Sequence, residues 1–358
     1  MKRILTFAFL CAVLLSQYGF TQADLTSVTP VNPVHQTYTV LVSSDNTAQG
    51  VTIMSYFPNK LSIHVGDSVV WKINSHEIHT VTFLAGQSLP VLLIPAPTGQ
   101  PSPLQFNPQA AFPFAPANGL YDGTTYVNSG VMSQDPGNVK SFKLTFTKTG
   151  TFMYVCLVHG MMMSAEVDVV SNSVKTLTPS GVASIGQQQI RAAWKGVPAV
   201  MAQAHKQVIP PTHNPDGTKT YHVVVGYSSG MIDVMQFFPS QVNAHPGDTV
   251  IWTLSSADAA PHTVTFLNGH PEPGLTLVVQ PPTPPLVLLN PGVLFPSQNI
   301  TPGALLNKKD FFNSGLLAPG SPVTSFSIKI GNFTGSLPYL CMLHDTSGMK
   351  GRLVVSHK

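Results

Sequence analysis

The chain has 358 residues, 9% of them charged, and a formal net charge of +3. That length fits two domains of ordinary size plus a connector, while 28 glycines, 32 prolines and few charges disfavour long amphipathic helices and suit an all-β chain. No basic block or stripe occurs, which excludes a nucleic-acid surface.

Taken from its start, the chain opens like a secretory signal. Lys2 and Arg3 precede an apolar run from Ile4 to Leu15 that is short for a membrane span, and Thr21-Gln22-Ala23 supplies a small-x-small cleavage pattern. A signal peptide over 1–23 and a mature chain from Asp24 are expected, exported to the periplasm or the outside. An uncleaved anchor is the alternative, and the only route to stable membrane insertion. Cys11 falls in this apolar run, so the exported chain keeps two cysteines, Cys156 and Cys341. Exported proteins with two cysteines commonly join them. Here each cysteine has its own soft-ligand neighbours, which favours two separate sites.

Beyond the leader the sequence repeats itself. "TYTVLVSS" at Thr37 returns as "TYHVVVGY" at Thr220, "HTVTFLAG" at His79 as "HTVTFLNG" at His262, "NSGVM" at Asn128 as "NSGLL" at Asn313, and "TGTFMYVCLVH" at Thr149 as "TGSLPYLCMLH" at Thr334. These define two copies of one domain, 30–171 and 219–357, joined by a linker over 172–218. Each copy reads as short strands between turns: "SVVWKI" and "TVIWTL" follow the turn signals Gly66-Asp67 and Gly247-Asp248. That pattern predicts two antiparallel β-sandwiches. The linker predicts a helix near Gln187 to Gln207, interrupted at Pro198. Long apolar insertions at 84–127 and 267–312 follow each HTVTF strand, and loops of that length are usually functional or disordered. Their content of Leu, Val and Phe argues for folded lids or contact surfaces.

The second copy carries "CMLHDTSGMKGRLVV", which sets Cys341, His344 and Met349 on one loop, with His262 opening a strand far upstream. A thiolate, two imidazoles and a weak axial thioether form the ligand set of a blue copper site. The first copy offers His79, Cys156, His159 and one of Met161, Met162 and Met163. Matching "MSAEVDV" to "MKGRLVV" selects Met163, with Met162 as the fallback.

At these residues the chain resembles the cupredoxins of plastocyanin and azurin type, whose motif runs His, then Cys-x2-His, then Met. The resemblance covers nearly all of both copies apart from the long insertions. It implies two Greek-key cupredoxin sandwiches in tandem with a partly helical linker. It also implies two mononuclear type 1 copper sites and single-electron transfer to redox partner proteins. Ala165 stands where the family has glycine, a mild departure. A copper nitrite reductase-like subunit is the enzymatic rival. Its extra copper characteristically needs a histidine directly before the cysteine, where this chain has Val155 and Leu340, so a non-enzymatic carrier is expected. Copper storage or delivery is the other rival, kept open by the run Met161–Met163. Trp71 and Trp252, in matched strands, are expected in the cores.

Overall fold

A computed structural model describes residues 34–297 and 303–357. The expected signal peptide, its cleavage pattern and Cys11 lie outside the described residues, as does residues 30–33 of the expected first domain.

Each Gly-Asp turn is fixed by its aspartate. The buried Asp67 carboxylate accepts the backbone N–H groups of Gln36 (2.7 Å) and His64 (2.9 Å). Asp248 does the same for Lys219 (2.8 Å) and His245 (2.8 Å). Carboxylates that accept backbone N–H groups make strong, charge-assisted bonds, so these two tie the start of each repeat to the strand that follows. Those strands, Ser68–Ile73 and Thr249–Leu254, alternate inward residues at Val69, Trp71, Ile73 and at Val250, Trp252, Leu254. Both tryptophans are fully buried, as expected. Trp71 meets Tyr154 edge to face at 5.3 Å and Trp252 meets Tyr339 at 5.4 Å. Aromatic pairs of this geometry contribute about 0.5–1.5 kcal/mol beyond their buried area.

The architecture is all-β, two sandwiches with helices, among the described residues, only in the connector and insertions. The first repeat has its own six-stranded sheet, including Gly150–Cys156 and Gly160–Val170, and the second a five-stranded one, including Gly335–Leu340 and Lys350–Val355. Their opposite layers are one continuous 11-stranded sheet that runs through both repeats. Pairing is mostly antiparallel. Three parallel pairs per repeat depart from that expectation, as with Thr37–Asn46 beside Ser68–Ile73 and Lys60–His64 beside Gly160–Val170. They arise where the chain crosses from one layer to the other.

The repeats join through Val51–Phe57 and Ile232–Phe238, with Ile53 opposite Ile232, Thr52 opposite Asp233, and Val51 opposite Val234. Tyr56 corresponds to Phe237 in the repeat, so Thr52 and Asp233 are the same position in the two copies. Equivalent strands therefore pair about an internal two-fold axis. Val51 through Phe57 is buried at every residue because both faces of this central strand are covered.

The connector is two helices rather than one interrupted helix. Pro179–Trp194 begins earlier than the sequence predicts, with Thr178 accepting from the Gly181 N–H and proline in the first turn. Val197–His205 then lays Val197, Val200 and Ala204 against Val51, Ile53, Val234 and Phe238. Pro198 sits in the first turn of this second helix, where its missing N–H costs nothing.

The insertions are folded. Leu93–Pro95 and Leu104–Phe106 from the first, and Thr276–Val279 and Leu286–Leu289 from the second, make a four-stranded sheet of their own. The two insertions meet at Gln105 opposite Leu288. Asn107-Pro108 matches Asn290-Pro291, so this contact again joins equivalent positions.

Candidate metal centres

Two clusters gather the expected histidines and cysteines. His79, Cys156 and His159 form one, His262, Cys341 and His344 the other, and in each the donor atoms all lie within 4.8 Å of one another. Both rings turn Nδ1 toward sulfur. Cys156 Sγ lies 3.8 Å from His79 Nδ1 and 3.4 Å from His159 Nδ1. Cys341 Sγ lies 3.7 Å from His262 Nδ1 and 3.5 Å from His344 Nδ1. Met163 and Met349 are buried in the same apolar clusters as Cys156 and Cys341, whereas Met161 and Met162 are exposed.

The HTVTF motif explains how the upstream histidine is held. The Thr80 N–H donates to Cys156 Sγ at 3.4 Å, and the Thr80 hydroxyl accepts the Leu157 N–H at 2.8 Å. Thr263 repeats both contacts with Cys341 (3.3 Å) and Met342 (2.9 Å). The NSG motif, matched in the sequence but given no role there, holds the outer side. Ser129 accepts the Val81 N–H, while Asn128 accepts from the Thr82 hydroxyl and donates to the carbonyls of Gln109, Ala110 and Phe112. Asn313 and Ser314 do likewise in the second repeat. Each insertion is thereby fastened to its histidine strand.

The surroundings of the clusters differ. The His262 Nε2 atom meets Asp258 Oδ2 at 2.7 Å, both fully buried, and His344 Nε2 lies 3.5 Å from Glu77 Oε2 of the first repeat. Neither carboxylate carries a repeat signal that the sequence would reveal. His79 Nε2 is buried without a partner. Electrostatics follow. Burial pushes the Cys156 thiol up, holds His79 well below its ordinary range, and with His344 nearby brings His159 down to about 4. Burial acts in the same directions on the second cluster, but there His344 and His262 bring the Cys341 thiol well below the usual range. Asp258 and Cys341 raise His262, and Glu77 and Cys341 raise His344, both against burial.

Both clusters border one cavity of about 720 Å³ between the repeats, reached by His159 and Met162 from one side and by His344 and Leu343 from the other. Glu77 and Asp233 also line it. The remaining histidines stand apart from the clusters: His64 bonds the Val174 carbonyl, His76 bonds Asp45, and His245 bonds the Ser356 carbonyl.

A β-sandwich whose end holds a histidine, a cysteine and a second histidine around one point is a cupredoxin. Residues 42–170, nearly all of the first repeat, match the copper-binding proteins of the plastocyanin/azurin family. An amicyanin mutant in its Cu(I) form is 22% identical over 37% of this chain and 82% of its own, at a TM-score of 0.23. A fern plastocyanin mutant is 21% identical over 38% and 99%, at 0.21. No curated protein matches the chain. The donor set fits copper: one thiolate and two imidazoles with a buried thioether in the same cluster are the ligand types of a blue copper site. The chain has two such copper sites, one per repeat.

Proposed function

We propose that this chain is an exported electron carrier with one mononuclear type 1 copper in each repeat, and not an enzyme. The ligands assigned are His79, Cys156, His159 and Met163 in the first site, and His262, Cys341, His344 and Met349 in the second. The observation that carries this reading is the convergence of two Nδ1 atoms on one buried sulfur, made twice. A copper ion bound there takes up and releases one electron at a time.

The chain's own residues supply the rest. Thr80 and Thr263 steady the sulfur through their N–H groups. Each upstream histidine is held by its strand before metal arrives, so little rearrangement accompanies a change of charge. His159 and His344 are the ligands that reach the cavity between the repeats, and electrons enter and leave through their rings. Val155 and Leu340, directly before the cysteines, supply no histidine for a bridging second metal. Export rests on the leader pattern alone; among the described residues no helix is long and apolar enough to cross a membrane.

The test is copper counting with visible spectroscopy. Two coppers per chain and an intense thiolate-to-Cu(II) band are expected. Cys156→Ser and Cys341→Ser should each remove about half of that band, and the double variant all of it. A single variant that keeps the full band would remove that repeat from the assignment. Further copper bound at exposed Met161 and Met162, without redox cycling, would favour storage instead.

A further inference from the structure

The two sites share their ligands but not the groups behind them. In the second repeat both imidazoles have a carboxylate at the nitrogen facing away from the sulfur: Asp258 on His262 at 2.7 Å, Glu77 near His344 at 3.5 Å. Among the described residues no carboxylate reaches ion-pair distance of His79 or His159. The difference is built into the backbone. Asp258 occupies space that a side chain at Gly226 would overlap. The matching residue in the first repeat is Ser43, with the same left-handed backbone (φ 65° against 66°), and its hydroxyl bonds the Ile53 carbonyl instead. Counting back from His79 and His262, the position of Glu77 is Ala260 in the second repeat. The one carboxylate that could reach across to His159 by symmetry is therefore missing.

A carboxylate behind a ligating histidine makes the ring a stronger donor and orients it. Added negative charge also stabilises a dipositive ion more than a monopositive one, and strongly so where water is excluded. We propose that Glu77 and Asp258 are positioning residues that bias the second-repeat site toward Cu(II) and leave the first-repeat site as the resting place of the electron. Glu77 acts across the repeat boundary. One electron passes from Cu(I) in the second site to Cu(II) in the first, across the cavity that His344 and His159 both line. The copper of the second repeat is oxidised, that of the first repeat reduced, and no proton moves. This inference rests on the copper reading above.

The experiment isolates each site. Cys156→Ser leaves only the second site coloured and Cys341→Ser only the first, and potentiometric titration of the blue band then gives each potential. The second site should lie lower, by at least a tenfold difference in equilibrium constant, which for one electron is about 59 mV. In the Cys156→Ser background, Glu77→Gln and Asp258→Asn should each raise the potential, and each should weaken Co(II) binding about tenfold, read from the cobalt absorption in copper-free protein. In the Cys341→Ser background Glu77→Gln should change neither quantity, which a general loss of folding would. Equal potentials in the two backgrounds, or a Glu77→Gln effect on the first site as large as on the second, overturns the proposal while the copper reading stands. Absence of a copper band in both backgrounds overturns both.

Discussion

Phe238 decides whether the two repeats unfold together. Its ring is buried in the cluster formed by Val51, Ile53, Val234 and the helix residues Val197, Val200 and Ala204, with the His205 ring edge-on at 5.1 Å. Phe238→Ala removes that packing, and a buried phenylalanine cut to alanine costs about 3–5 kcal/mol. The chain from His35 onward forms one compact unit. For a unit of roughly 320 residues the unfolding entropy is about 0.7 kcal/mol/K, so a loss of about 4 kcal/mol lowers Tm by about 6 °C. Independent repeats of roughly 140 residues would have about 0.3 kcal/mol/K each, and one transition alone would fall by about 13 °C. Differential scanning calorimetry of the copper-free protein distinguishes them. A single transition moved by the smaller amount is expected. Two transitions, with only one displaced, would refute the shared core.

Three further outcomes follow from the site. Met163→Leu should keep copper in the first site and raise its potential, because a thioether is a weak axial ligand; a null result there with a clear change in Met162→Leu would move the assignment to Met162. Gly348→Ala should destabilise far more than Gly160→Ala in urea titrations. Both residues have positive φ, a strain of about 1–2 kcal/mol for alanine, but only at Gly348 would the new methyl overlap the Thr47 carbonyl of the other repeat; equal midpoints would count against that contact. The purified protein should neither reduce nitrite nor oxidise phenols with oxygen above a copper-free control, and steady turnover with a third tightly bound copper per chain would contradict the carrier reading.

Much of this was legible in the sequence because the metal-binding residues are chemically rare and repeated. Cys156 and Cys341 are the cysteines outside the expected leader, and the HTVTF strands mark their histidine partners by identity in both copies. The helix boundaries were missed although their signals were there: Thr178-Pro179 is a capping signal, and Pro198 is a starting residue rather than an interruption. The junction was hidden for a physical reason. Val51–Phe57 has the composition of any core strand, and only its unbroken burial shows that a second repeat covers it. Glu77 and Asp258 were hidden for the opposite reason. They have no counterparts in the other copy, so a search by repetition passes over them.

The pairing of Thr52 with Asp233 and of Gln105 with Leu288 sets what one chain can do that two could not. Two identical chains associated about a true two-fold axis carry every side chain in duplicate. A carboxylate placed behind one histidine would then stand behind its mate as well, and the sites would remain twins. Joined in a single polypeptide, the halves keep the geometry of a symmetric dimer while each position is free to differ. Thr52 already faces an aspartate, Ser43 answers to Gly226, and Glu77 answers to Ala260. Covalent linkage also fixes the stoichiometry at one of each half at any dilution, where a pair of separate chains would come apart.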